Sequence, residues 1–381
     1  MKAVMPFPNK RSMRDLGLIQ NSVSKESLGS ENVLISSKYE TLESEQGAQP
    51  RYENDQVGWQ ENLEGEGICS QVYFELYDSK QEPPSMMALL DDFKAAISKG
   101  EFRIYLQPQV RLTDSKVVGA EALVRWLHPR FGLLAPGAFL PVIEKSGKIG
   151  TLSLWLLREC MLLSCAQAEP HKIRISVNLS VQDLESPNFP QQVEILLEQT
   201  GAQAAELCME ITESSAMRNP EQCLASMLRL RQLGFALSID DFGTGYSSLS
   251  YLSKMPVDEL KIDRSFITQL HDAKQREIVK AIIQLGLILK LRLIAEGVED
   301  SAECELLESL GCHEIQGYLI ASPMPALDFF VWLKACSGYC RELFLYPQVT
   351  IPSCQIDATA KHRLDSLCER YFKALRRCCL L

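Results

Sequence analysis

The chain has 381 residues, of which 46% are hydrophobic and 23% are charged, and its formal net charge is −10. This composition is typical of a soluble globular protein, and the acidic balance excludes nonspecific nucleic-acid binding, which needs a basic surface. The 13 cysteines include no CxxC pair, which excludes the usual zinc-ligand spacing. We expect mostly reduced thiols in a cytoplasmic protein.

The N-terminal segment, residues 1–85, is rich in Ser, Glu, Gln and Asn and has no sustained apolar period. It is predicted to be a largely disordered arm or a small adaptor, with one possible strand at 68–78. Basic residues near the start are not followed by an apolar h-region, so no signal peptide is expected. The apolar run 278–294 is interrupted by Lys280, Lys290 and Arg292, and no integral membrane segment is expected.

The central segment, residues 86–337, alternates apolar strand-like runs with helical patterns. The predicted strands are 102–107, 118–124, 173–179, 206–212, 236–240, 259–262, 292–296 and 313–316. Eight strands alternating with helices predict a TIM (β/α)8 barrel. The first two strands are separated only by "VRLTDSKVV", which is too short for a parallel crossover, so one strand must be antiparallel. Because Glu121 follows this hairpin turn, we expect the turn to face the active mouth and the second strand to be the antiparallel one.

Two helix starts carry capping signals. Asn219 is predicted to cap a helix with Pro220 at its first position and Gln222 closing the capping box. Asp300 with Glu303 marks the start of a helix over 301–311 in the same way.

The C-terminal extension, residues 338–381, ends in an amphipathic helical pattern between Leu364 and Leu375. Packing of this helix against the barrel or a partner is the favoured interpretation. The final "CCLL" also fits a prenylation signal at Cys378, which stays open as an alternative.

Polar residues mark the ends of the predicted strands. In chain order they are Gln107, Glu121, Asn178, Glu210, Asp240 with Asp241, Lys261, Glu296 and Gln316. In a TIM barrel the chemistry lies where the strands end, so these side chains are expected to converge. Each carboxylate alone is more often a solvated surface residue, but a converging set would repel unless cations neutralised it. Oxygen ligands favour magnesium or manganese.

Adjacent aspartates at 240 and 241 would allow one carboxylate to bridge two ions. A metal pair about 4 Å apart is a known apparatus for phosphodiester hydrolysis. Lys261 would then bind the attacking water or the scissile phosphate. The stretch "DDFGTG" also contains the Asp-Phe-Gly of protein kinases, but no kinase glycine-rich loop or His-Arg-Asp loop precedes it. The two glycines, Gly243 and Gly245, are expected to form a tight turn beside the metals.

These motifs resemble the EAL family of cyclic di-GMP phosphodiesterases over residues 88–335. The resemblance is carried by "EALVRW", "HPRFGLLAPGAFLPVIEKSG", "SVNLS", "MEITES", "DDFGTGYSSL", "LKIDRSF", "AEGVE" and "GCHEIQGYL". It implies hydrolysis of cyclic di-GMP to linear pGpG with two Mg2+ or Mn2+ ions. It also implies a homodimer that contacts through the region of the loop 241–248.

The resemblance implies a role for each site residue. Those that would hold the ions are Glu121, Asn178, Glu210, Asp240 and Asp241, with Glu296 nearby. Lys261 would assist the attacking water, and Glu213 would anchor the loop 241–248. Gln107, Arg125 and Gln316 would hold the substrate, and Asp263 and Glu299 would support the ligands.

Two positions depart from the family pattern: Gln109, where an apolar residue is usual, and His313, where an acid is common. Neither belongs to the implied metal set. The alternative function is a catalytically inactive EAL domain that acts as a cyclic di-GMP receptor or a protein-interaction module. The complete set of implied ligands, with Lys261 and Glu213, favours the enzyme.

Overall fold

A computed structural model describes residues 86–167, 172–244 and 249–336. The predicted arm, the possible strand at 68–78, the C-terminal helix and the "CCLL" end lie outside these residues. The proposed domain boundaries therefore stay predictions.

The strands form one sheet that closes into an eight-stranded barrel with two short additions. They are β1 (Phe102–Arg111), β2 (Lys116–His128), β3 (Gly132–Leu134), β4 (Arg174–Leu179), β5 (Leu207–Thr212), β6 (Ala236–Phe242), β7 (Glu259–Ile262), β8 (Arg292–Ala295), β9 (Glu314–Ile315) and β10 (Met324–Pro325). Neighbours from β2 through β4, β5, β6, β7 and β8 to β9 pair in parallel, and β1 joins β9 to β2. The predicted modified barrel is confirmed.

The helices surround this barrel. They are α1 (Met86–Ala96), α2 (Pro136–Lys145), α3 (Ile149–Ala166), α4 (Val181–Glu185), α5 (Phe189–Thr200), α6 (Glu213–Arg218), α7 (Pro220–Gln232), α8 (Leu249–Leu252), α9 (Arg264–Ile267), α10 (Ala273–Ile288), α11 (Ser301–Leu310) and α12 (Ala326–Cys336). Gly286 on α10 lies against β8, where a Cβ would come 2.4 Å from a methyl carbon of Leu293. The missing side chain therefore lets the helix approach the strand closely.

The antiparallel strand is β1, and the expectation that the second strand would be antiparallel is wrong. β1 runs antiparallel to both β2 and β9, whereas β2 runs parallel to β4. The hairpin turn after β1 therefore lies at the end where the parallel strands begin, opposite the mouth. Glu121 reaches the mouth because it lies inside β2, paired with Gln107 and in register with Ser176, rather than at the turn.

The two capping predictions have different outcomes. Asp300 and Glu303 form the predicted capping box at the start of α11. Asn219 precedes α7, and Pro220 lies at the first turn, but the Asn219 side chain makes no capping hydrogen bond. Because α6 ends directly before it, Asn219 links two helices with φ −136° and ψ 79°, not in the extended conformation of an N-cap.

Among the described residues, α3 is the one helix with the length and apolar composition of a membrane span. Two thirds of its residues are buried in the fold, as in the core helix of a globular domain. It is not a clear membrane span. Six cysteines whose side chains the structure describes are free thiols. Burial raises the pKa of Cys312 to about 12, so that thiol is inert near neutral pH.

Candidate metal-binding active site

A fully buried lysine, Lys261 on β7, lies among carboxylates at the barrel mouth. Its Nζ is 3.4 Å from Glu121 Oε2 on β2, 2.9 Å from Glu210 Oε2 on β5 and 3.1 Å from Asp240 Oδ1 on β6. It is also 2.6 Å from Glu296 Oε1, directly after β8. Strands far apart in the sequence thus bring these side chains together. We call Lys261, these four carboxylates and Asp241 the acidic cage.

The acidic cage carries more negative than positive charge. Its five carboxylates and one ammonium give a formal charge of −4 when all are ionised. Burial, then the charges of Glu121 and Asp240, hold the pKa of Glu210 well above its ordinary value, against the opposing effect of Lys261. Burial likewise raises the pKa of Glu296 to about 8. Raised pKa values are expected of buried carboxylates whose negative charge is not neutralised. Two divalent ions would supply the missing positive charge.

For Glu121 and Lys261, in contrast, the pKa shift favours the charged form of the side chain. Burial opposes the ionised form of Glu121, but Lys261 and hydrogen bonds from Gln316 and Asn178 outweigh it and keep the pKa of Glu121 below its ordinary value. Burial also opposes the charge on Lys261, but the surrounding carboxylates hold the pKa of this lysine well above its ordinary value. Glu121 is therefore an anion and Lys261 a cation near neutral pH.

Several oxygens of the acidic cage are suited to a cation. Oxygens of Asp240, Asp241 and Glu296 lie within 4.8 Å of one another. Within the described part of the chain, Glu210 Oε1 is buried and has no hydrogen-bond partner. Asn178 donates from Nδ2 to Glu121 Oε1 at 2.7 Å, which leaves its carbonyl oxygen as the atom able to bind an ion. Buried oxygens are normally paired, so this donor set fits a hard divalent cation.

The turn after Asp240 has an uncommon backbone. Asp241 has φ 54°, a left-handed conformation that costs energy for a residue with a side chain. Burial and the adjacent Asp240 raise the pKa of Asp241 to about 6. Gly243 has φ 101°, and a Cβ there would lie 2.8 Å from the Phe266 ring. The predicted tight turn at Gly243 is therefore present, whereas Gly245 lies outside the described residues.

Glu213 ties this turn to β5. It is the first residue of α6, is buried, and accepts a hydrogen bond from the Gly243 backbone N–H at 2.8 Å through Oε2. This contact is the geometry that an anchor of the loop 241–248 requires. The dimer contact is predicted in the region of the loop 241–248, and residues 245–248 of that loop lie outside the described residues.

Three glutamines form a hydrogen-bonded group that reaches Glu121 through Gln316. Gln316 Nε2 donates to Glu121 Oε2 at 2.6 Å and to Gln107 Oε1 at 3.0 Å. Gln107 Nε2 donates to the Ala321 carbonyl at 3.2 Å, and Gln109 Nε2 donates to Gln316 Oε1 at 3.0 Å. The predicted substrate residues Gln107 and Gln316 are thus joined to the acidic cage, and their amides bond within the protein.

Arg125, the third predicted substrate residue, lies on β2 at the same strand face as Glu121. Its guanidinium is 5.3 Å from the centre of the Tyr105 ring, a cation–π contact, and both residues are buried. Of the predicted supports, Asp263 caps α9, and Glu299 pairs with Arg264 at 2.6 Å.

Sequence reasoning missed Tyr105 as a site residue and placed Gln109 outside the metal set without giving it a role. Tyr105 and Gln109 each lie two positions from Gln107 along β1. The period-2 pattern of a strand places these three side chains on one face, and this was the signal that could have identified them.

Fold and site together define a class of protein: a (β/α)8 barrel whose mouth carries a carboxylate cluster suited to divalent cations. The chain matches the family model described as "EAL domain" over residues 90–323, more than half of its length. The chain therefore belongs to the EAL domain family.

Two curated relatives come from Pseudomonas aeruginosa. The bifunctional diguanylate cyclase/cyclic di-GMP phosphodiesterase MucR is 42% identical over 243 residues, which cover 63% of this chain and 36% of that protein. The cyclic di-GMP phosphodiesterase NbdA is 40% identical over 249 residues, covering 64% of this chain and 32% of that protein. The chain thus spans about a third of the length of these relatives.

Solved structures agree with the barrel. A structure described as a PaMucR phosphodiesterase, c-di-GMP complex is 40% identical with a TM-score of 0.61, covering 63% of this chain and 99% of that one. The FimX EAL domain from Pseudomonas aeruginosa bound to c-di-GMP is 26% identical with a TM-score of 0.58, covering 63% of this chain and 97% of that one.

Proposed function

We propose that this chain hydrolyses cyclic di-GMP to linear pGpG with two Mg2+ or Mn2+ ions. The observation that carries the proposal is the acidic cage, in which one buried ammonium faces an excess of carboxylates. The names of the relatives support cyclic di-GMP as the substrate. The acidic cage supports hydrolysis, because carboxylates grouped around one ammonium could hold a pair of divalent ions, which is a known apparatus for phosphodiester cleavage.

The donors that would hold the ions are Glu121, Asn178, Glu210, Asp240 and Asp241, with Glu296 beside them. When bound, such ions neutralise phosphate charge and lower the pKa of a water. Asp240 is central to this assignment because it borders both Lys261 and Asp241.

Lys261 would act as a hydrogen-bond donor. In the metal-free protein its carboxylate neighbours hold its pKa well above the ordinary value, so it is an ammonium near neutral pH. A fixed ammonium at this place can donate a hydrogen bond to the attacking water or to a phosphate oxygen on which charge develops.

Arg125 would bind the substrate at the edge of the mouth. Guanidinium groups pair well with phosphate, and the Tyr105 ring restrains this side chain. The homodimer through the region of the loop 241–248 is also a proposal, and it rests on the family resemblance. A cytoplasmic location is proposed from the free thiols.

The test is incubation of the purified chain with cyclic di-GMP and Mn2+, with chromatographic detection of pGpG. Glu121→Ala and Lys261→Ala should each abolish turnover while circular dichroism shows an intact fold. Unchanged turnover in both variants would show that the site is misplaced.

The same assay decides between the enzyme and a cyclic di-GMP receptor. Tight binding of cyclic di-GMP without turnover, at saturating Mn2+, would support the receptor and refute the enzyme.

A further inference from the structure

Gln109 on β1 is a buried polar residue that the proposed reaction does not use. It is 3% exposed, and its Nε2 donates to Gln316 Oε1 at 3.0 Å. Burial of an amide costs free energy unless the amide is hydrogen-bonded, so the contact between Gln109 and Gln316 needs a physical reason.

The chemistry of Glu121 fixes which way the Gln316 amide must face. An ionised carboxylate only accepts hydrogen bonds, so the NH2 group of Gln316 must point at Glu121, where the distance is 2.6 Å. The carbonyl oxygen of the same amide then points to the other side. Gln316 is 4% exposed, so that oxygen needs a donor from the protein. Gln109 supplies it.

The space for Gln109 comes from the strand opposite. Gly119 on β2 is its register partner, and a Cβ at Gly119 would lie 2.5 Å from Gln109 Oε1. The absence of a side chain at Gly119 therefore makes room for a glutamine on β1.

We propose that Gln109 is a positioning residue for Glu121, acting through Gln316. By holding the Gln316 carbonyl, it keeps the Gln316 NH2 group on Glu121 and so fixes this carboxylate beside Lys261. Without that donor the Gln316 carbonyl is left unpaired, and only the bonds of its NH2 group to Glu121 and Gln107 hold the amide. A rotated amide, which would place its oxygen against the Glu121 oxygen, then becomes less costly. The inference rests on the proposed function for its catalytic consequence, but not for its effect on ion binding.

The test replaces Gln109 by methionine, which is similar in length and cannot donate. We expect Gln109→Met to lower kcat/KM for cyclic di-GMP about tenfold, which is the fold-change expected if the free-energy cost of one unpaired buried acceptor falls on the placement of Glu121. The Mn2+ concentration at half-maximal thermal stabilisation, measured without substrate, should rise as well. In a Gln316→Met background the same change should add nothing, because the two residues act through one contact.

Gln167→Met is the matched control. Gln167 is also a buried glutamine, but it bonds to the backbone of Ile173, on the segment that leads into β4. This variant should lose stability and keep the kcat/KM and Mn2+ response of the unaltered protein. A merely structural role for Gln109 would give the same result as this control.

Three outcomes overturn the inference: an unchanged kcat/KM and Mn2+ response in Gln109→Met, multiplying effects in the double variant, or no Mn2+ stabilisation of the unaltered protein. If the unaltered protein binds Mn2+ but does not hydrolyse cyclic di-GMP, the proposed function fails alone. The Mn2+ titration then still decides the role of Gln109.

Discussion

Removal of one negative charge from the acidic cage should stabilise the metal-free protein. Glu296 is the residue to change, because burial and the charges of Asp240 and Glu121 raise its pKa from 4.5 to about 8, against the opposing effect of Lys261. A carboxyl group with a raised folded-state pKa imposes no penalty below its unfolded pKa and destabilises the fold as pH rises toward the folded value. Glu296→Gln removes this penalty and keeps the shape.

The size of the stability gain follows from the pKa shift of Glu296. One pKa unit corresponds to about 1.4 kcal/mol, so the stability gained by Glu296→Gln should grow by about 1–3 kcal/mol between about pH 5 and about pH 7.5. The upper figure applies if Glu296 titrates alone, and the lower figure applies if neighbouring carboxylates take up part of the proton.

The assay is urea unfolding in EDTA, for the unaltered protein and the variant, at both pH values. Added Mn2+ should reverse the order of stability, since the variant has lost part of the proposed ion site. The reasoning is refuted if Glu296→Gln is the less stable protein in EDTA at the higher pH, or if the difference does not depend on pH.

Three further predictions concern the surroundings of the site. Glu213→Ala removes the acceptor of the Gly243 N–H and should lower kcat/KM for cyclic di-GMP by about 10- to 100-fold, with an unchanged circular dichroism spectrum; full activity would refute the anchoring role. Gly286→Ala places a Cβ against Leu293 and should cost about 1–3 kcal/mol in urea unfolding without affecting kcat, unlike an alanine at exposed Lys280. Asp300→Ala should cost about 1 kcal/mol in the same assay through loss of its cap, and an unchanged midpoint would contradict the capping box.

The barrel and the convergence of its polar residues were predictable because both rest on local patterns. The predicted strand at 259–262 matches β7, and the one at 236–240 falls inside β6. In a parallel barrel the strand ends meet at one face whatever the details of packing, so Glu210, Asp240 and Lys261 could be placed together from sequence.

Relations between distant strands were not predictable in the same way. The direction of β1 depends on which neighbours it pairs with when the sheet closes, and the short hairpin fits either assignment. The contact of Gln109 with Gln316 joins β1 to the residue that follows β9, and it needs the space left by the missing side chain of Gly119. The sequence of a single segment cannot reveal such a contact. Asn219 had the right residue type for a cap, but α6, which ends just before it, sets its backbone.

The most direct measurement of the central claim is a crystal of the protein soaked in Mn2+ with data collected at the manganese edge. A two-metal site predicts two anomalous peaks in the acidic cage about 4 Å apart, one of them beside Glu210 Oε1 and one beside Asp241. Anomalous signal only at exposed surface carboxylates, with Lys261 as the only cation in the acidic cage, would contradict the two-metal site.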